Sequence, residues 1–226
     1  MEGFVKYLVD SKLVFDTLER IVDKSDDVSY AYFRKTGLER SEGLAKDLEW
    51  FSQRNIEIPE PSTPGTSYVK YLEELAEDNA PLFLSHFYNI YFSHIAGGQV
   101  ISRKVSDKLL QGRELEFYRW GGDAQELLKG VREKLNMLGE HWTRDEKNKC
   151  LKEAAKLFCV VRNACFSYGL QIALLLLWTD SIFIPKVVNY KTRFTSFSEG
   201  RNFVFAHAAA LVFAYDGIVL SKGHTA

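Results

Sequence analysis

Over residues 1–158 the apolar side chains recur every three or four positions, and no stretch alternates like a strand. That periodicity restricts the region to helices packed around one core, an all-α bundle. Phe4, Leu8, Val14, Leu18, Ile21 and Val22 form one stripe, with Lys6, Asp10, Asp16, Glu19 and Arg20 between them. Residues 25–27 end that helix. Leu38, Leu44, Leu48 and Phe51 mark a second. Residues 59–65 read as a loop, because Pro59, Pro61 and Pro64 remove donors and disfavour helix in the preceding residue. A short helix is expected over 68–75 and a long one over about 82–110, with Pro81 in its first turn. Two more follow over about 123–138 and 146–158, the second opened by Thr143 and Glu146 at capping-box spacing.

A chain of 226 residues forms one domain, or one domain with an extension. The hydrophobic share of 46% suffices for a sizeable core, and the net charge of -1 gives no pull toward nucleic acid or an anionic membrane. Cys150, Cys159 and Cys165 have no CxxC spacing, which fits a reducing compartment better than a disulfide framework. Met1 opens into an amphipathic segment, so no targeting peptide is visible in the sequence. Residues 1–158 carry 23 Lys+Arg against 27 Asp+Glu, whereas residues 159–226 carry 6 against 3. The texture also changes there, to clustered apolar and aromatic residues, and places a boundary near Phe158. The apolar run over 170–178 is bounded by Arg162, Asn163 and Asp180, short of the ~18–20 residues of a membrane span. No span is expected.

Gly97 and Gly98 lie inside the long helix, where each costs roughly 1 kcal/mol relative to alanine. Close helix packing or a kink is one compensation. Approach of the backbone to a flat ligand is another. His86, Ile90, Ser93, His94, Gly97 and Ile101 share a face at i, i+3, i+4 spacing, expected to be small, polar and open at the glycines. His86 and His94 are eight residues apart, about 12 Å along a helix, too far to hold one metal ion. No metal site is expected.

The segment from His86-Phe87-Tyr88 through Ser93-His94-Ile95-Ala96-Gly97-Gly98-Gln99-Val100 resembles the distal helix of the heme oxygenase family in its plant form. Leu38, Arg40, Leu44, Asp47 and Leu48 have the family spacing upstream, and Tyr68-Val69-Lys70 and Arg132-Glu133-Lys134-Leu135-Asn136 fit in family order. The resemblance covers about residues 2–158 and is nearest to the second plastid subclass. It implies a tetrapyrrole, heme or iron-free protoporphyrin, lying against Gly97 and Gly98. In it His94 supports the polar network of the catalytic side, Ser93 lines the ring, and Tyr88 and Arg132 meet the propionates. A guanidinium suits a carboxylate because it donates in a fixed fork.

Active members convert heme to biliverdin, carbon monoxide and iron, with electrons from ferredoxin in plastids. The resemblance therefore implies a plastid protein concerned with the chromophore supply of phytochrome. The chain departs from the pattern in two places. The family's proximal histidine precedes residue 2, and the first histidine here is His86. Residues 159–226 match nothing in the family and are expected to be a mis-spliced or poorly ordered tail outside the functional domain. Three readings stay open: a non-catalytic relative that binds a tetrapyrrole, an active heme oxygenase whose sequence is incomplete, and a helical interaction module without ligand.

Overall fold

The computed structural model describes residues 1–154, apart from the side chains of residues 99–101. Among them every regular element is helical. The order is α1 (Glu2–Lys24), α2 (Val28–Ala31), α3 (Ser41–Ser52), α4 (Thr63–Asp78), α5 (Ala80–Leu109), a 3-10 turn η1 (Glu116–Tyr118) and α6 (Ala124–Glu140). A further helix, α7, runs over 144–154. The boundary near Phe158 and the expectations for residues 159–226 lie outside the described residues.

The stripe expected on α1 is its buried face. Phe4, Leu8, Leu18 and Val22 are inside, with Val14 and Ile21 half-buried at its edge. The face packs on α3 and α4, while α4 and α6 pack on α5. α1 ends at Lys24, as the polar residues that follow it predict. The capping box also holds. The Thr143 amide and hydroxyl both donate to the Glu146 carboxylate at 2.7 Å, and the Glu146 amide donates back to Thr143 Oγ1 at 3.2 Å.

Two boundaries differ from the sequence reading, each because the cap comes from elsewhere in the fold. Leu38 is fully buried but precedes α3, which starts at Ser41. The Glu39 carboxylate accepts from the Thr36 and Gly37 amides and holds residues 36–39 in a turn. The first amides of α3 are then met by Glu19 of α1, which accepts from Arg40 N at 2.6 Å and Ser41 N at 3.2 Å. A carboxylate at a helix start satisfies unpaired donors and favours the helix dipole. It leaves no local signature, because the two partners are about twenty residues apart in sequence.

Helix α4 likewise begins at Thr63, inside the stretch expected to be loop, and runs past Leu75 to Asp78. Pro64 sits in its first turn, where a missing N–H is harmless. Ser62 caps the helix by accepting from Gly65 N, and its own amide and hydroxyl both donate to buried Asp10 of α1. Gly65 packs directly on that carboxylate, and a Cβ there would lie 2.7 Å from Asp10 Cγ. Helix α5 starts as expected, with Pro81 in its first turn and Asn79 accepting from Leu82 N at 3.2 Å. It continues for 30 residues, about 45 Å, without a break in helix at the glycine pair.

The α1–α4 crossing yields a stability prediction. Gly65→Val forces side-chain volume onto Asp10 and is expected to destabilise the fold by about 1–3 kcal/mol, the usual range for overpacking. Thermal and urea denaturation of the variant measure this. An unchanged midpoint would show that the helices separate here without cost.

Candidate functional site

The centre of α5 is held by a segment the sequence gives little sign of, residues 115–120. Leu115, Phe117 and Tyr118 are buried, and the backbone of η1 is fixed from α3. The buried Asp47 carboxylate accepts from Glu116 N at 3.0 Å and Phe117 N at 2.8 Å. Burial raises the Asp47 pKa, and these two amides work against that rise. On the other side, buried Arg40 donates to the carbonyls of Leu38, Glu116 and Arg119, and its guanidinium lies 4.9 Å from the Trp120 ring centroid. Leaving a buried donor or acceptor unpaired costs about 1–3 kcal/mol, so this clamp sets where the 116–120 backbone lies.

His94 depends on that placement. Its Nε2–H donates to the Phe117 carbonyl at 2.9 Å. The imidazole stacks on Phe117 at 4.1 Å and on Tyr118 at 5.2 Å, with Trp120 at 5.3 Å and Phe15 edge-on at 5.6 Å. The carbonyl selects the tautomer, so Nδ1 is left as a lone-pair acceptor. Burial pushes the pKa of this histidine from 6.5 down to about 3, against the pull of the Phe117 carbonyl and with a smaller push from Arg40. His94 is a neutral acceptor rather than an acid. Its Nδ1, Ser93 Oγ and Trp120 Nε1 are buried with no hydrogen-bond partner among the described residues. Buried polar atoms in native proteins are almost always paired, so each of these atoms is open to an ordered water or the polar group of a ligand.

The expected open face on α5 divides in two. His86 and His94 point into the bundle, whereas Ile90, Ser93 and Gly97 are half-buried and Ala96 is exposed. Ile90, Ser93 and Gly97 lie at the edge of the buried face, so one nominal face carries both kinds of position. Gly98 also differs from the expectation that it leaves room for a ring. It is buried, and a Cβ there would come within 3.1 Å of both His94 Nδ1 and Tyr118 Cε1. The space it leaves is filled by the chain's own rings. Gly97 is the member of the pair nearer the surface.

Tyr88 and Arg132 are brought together from α5 and α6. Burial raises the Tyr88 pKa, while the neighbouring Arg132 charge and a hydrogen bond from its side chain oppose the rise. Arg132 itself is exposed and able to meet a carboxylate from solvent. His86 belongs elsewhere. Its Nδ1 shares a 2.8 Å hydrogen bond with the Tyr68 hydroxyl, and its Nε2 is 3.3 Å from the Glu153 carboxylate, to which Tyr71 also donates. No group of three or more metal-binding side chains occurs among the described residues. The roughly 700 Å³ cleft between α1, residues 33–41 and α5 is lined by Glu19, Phe33, Phe87 and Tyr91 and includes none of the site residues named above.

A family model described as heme oxygenase matches residues 1–165. This chain belongs to the heme oxygenase family. It is 74% identical over 157 residues to an Arabidopsis thaliana protein named "Probable inactive heme oxygenase 2, chloroplastic", covering 70% of this chain and 52% of that one. It is 56% identical over 158 residues to "Heme oxygenase 1, chloroplastic" of the same plant, covering 70% and 56%. The chain thus spans about half the length of the curated relatives it matches. Among solved structures, the heme oxygenase-2 of Synechocystis sp., a complex with heme and NO, superposes with a TM-score of 0.62 at 22% identity, over 79% of this chain and 80% of that one. The fold is that of the all-α heme oxygenases, as the sequence motifs imply.

The missed parts of the site are Asp47, Arg40 and the 115–120 segment. Arg40 and Asp47 stand in the motif that carries the family resemblance, but spacing alone gives them no partner. The one local signal for the segment is its aromatic density, Phe117, Tyr118 and Trp120 just before Gly121 and Gly122.

His94 is expected to be neutral and protonated at Nε2 in the folded protein, down to about pH 4. Its folded pKa of about 3 lies below the ordinary 6.5, so between these values the unfolded chain takes up the proton first. This contribution to stability is complete above about pH 6.5 and is lost as pH falls toward 3. Imidazole nitrogen shifts and denaturation at several pH values measure both. A His94 resonance titrating near pH 6.5 would overturn the assignment.

Proposed function

We propose that this chain is a non-catalytic member of the heme-to-biliverdin pathway that binds a tetrapyrrole on α5 without supplying an imidazole to its iron. The observation that carries the proposal is the state of the histidines. Among the described residues, His94 is stacked under aromatic rings with Nε2 given to Phe117, and His86 is bonded on both sides by Tyr68 and Glu153. His141 stands at the exposed C-terminal cap of α6. None is presented by the Ser93–Gly97 strip. The 74% identity to a relative named as inactive agrees with this reading, and the plastid localisation is proposed from the same names.

The residues fit the macrocycle better than its metal. Ser93, Ala96 and Gly97 form a strip of small side chains on which a flat ring can lie, and Arg132 beside Tyr88 suits a propionate carboxylate. His94 Nδ1 and Trp120 Nε1 offer one acceptor and one donor for a polar atom behind the ring. In active members heme supplies the oxygen chemistry itself, and the protein supplies position and hydrogen bonds. A second reading, an active heme oxygenase reduced by ferredoxin, is favoured by the 56% identity to relatives named heme oxygenase 1 and heme oxygenase 3.

Two titrations decide between these. Hemin is expected to give no sharp histidine-ligated Soret band, and no biliverdin is expected with ferredoxin and reductant. Biliverdin formation would establish the active reading. Protoporphyrin IX, followed by fluorescence, needs no iron ligand and is expected to bind. Arg132→Ala removes a charge-assisted contact worth about 1.5–3 kcal/mol, and Gly97→Leu blocks the strip by volume. Equal affinity in the parent and both variants would leave a helical interaction module without ligand.

A further inference from the structure

Trp50 lies at the end of α3, half-buried, with its ring edge-on to Phe51 of the core at 5.0 Å. Two guanidiniums lie against its indole, Arg54 at 3.8 Å and Arg113 at 4.4 Å from the ring centroid. They come from different turns. Arg54 follows α3 in a turn closed by its own amide to Phe51 O and by Asn55 at φ 56°. Arg113 follows α5 beyond Gln111 at φ 53° and Gly112 at φ 88°, with its amide on Leu110 O. Both arginines therefore hang from hydrogen-bonded backbone and are aimed at one ring by local geometry.

Neither guanidinium has a carboxylate within ion-pair distance or a hydrogen-bond acceptor among the described residues. Two like charges on one indole repel, and each carries five N–H donors in a planar fork. The fitting third member is an anion with several oxygens. Beside the stack opens a pocket of about 410 Å³, lined by Met1, Ile56, Leu109 and Leu110 as well as the stack. Leu109 is 40% exposed there, a large apolar side chain left to water. Cation and apolar wall stand side by side.

We infer that the Trp50–Arg54–Arg113 cluster is a binding site for an amphiphilic anion, a carboxylate or phosphate head carried on an apolar body. The head takes the two guanidinium forks, and the body covers Ile56 and Leu109. The shared chemistry fits either a soluble small molecule or the headgroup of an anionic lipid. Its residues are separate from the Ser93–Gly97 strip and from Arg132, so the inference stands or falls independently of tetrapyrrole binding.

Isothermal titration of the full chain with dodecyl phosphate, below its micelle concentration, tests it. One-to-one binding is expected, at least tenfold weaker in Arg54→Gln and in Arg113→Gln, with unchanged helical circular dichroism in both variants. Inorganic phosphate should bind at least tenfold more weakly than dodecyl phosphate, and dodecyltrimethylammonium should not bind. Sedimentation with phosphatidylglycerol vesicles assigns the source. Arginine-dependent vesicle binding makes it a lipid surface, whereas binding to the monomeric probe alone makes it a soluble ligand. Dodecyl phosphate binding no tighter than the ammonium probe, or equally to parent and folded variants, would overturn the inference.

Discussion

The hold of α3 on the 116–120 backbone is the constraint from which the centre of this molecule follows. Asp47 takes two amides and Arg40 takes carbonyls from the same short segment, both from inside the bundle. Neither charge is a good core residue by itself, since burying an ion is costly unless its hydrogen bonds are met. Here the backbone of η1 meets them. In return the Phe117 carbonyl is fixed where His94 reaches it, and three aromatic rings close over the imidazole. The tautomer of His94 and its depressed pKa are consequences of that packing.

The same packing explains why the two neighbouring glycines have different work. Gly98 faces inward and lets the His94 and Tyr118 rings lie against the helix backbone. Gly97 is one position earlier, and a step of about 100° turns it toward the strip formed with Ser93. A glycine pair in a helix thus serves the core with one member and the surface with the other. Close internal packing accounts for Gly98, and the ligand approach proposed above concerns Gly97 alone.

Much of the fold was legible because it is local. The α1 stripe, the start of α5 at Pro81 and the Thr143–Glu146 capping box each depend on residues within one or two helical turns. The elements read poorly are those whose caps are tertiary. α3 is capped by Glu19 from α1, and α4 starts early because Ser62 is seated on Asp10. Short segments such as α2 and η1 carry too few residues for periodicity to register. For the candidate site, motif positions single out His94, Ser93, Gly97, Gly98, Tyr88 and Arg132, and the structure brings Tyr88 and Arg132 together from two helices.

The sequence by itself determined the helical class, the order and rough extent of the long helices, and membership of the heme oxygenase family. Those follow from periodicity, prolines, caps and motif order, which are properties of the chain in one dimension. Only the tertiary structure decided that His86 and His94 face the core while Ser93 and Gly97 are half-buried at its edge, and that the space at Gly98 is filled by the chain's own rings. It also decided that arginines 59 positions apart meet on Trp50. The physical reason is common to all of these. A side chain's protonation, exposure and freedom to bind are set by the neighbours that helix packing delivers, and those neighbours come from distant parts of the chain.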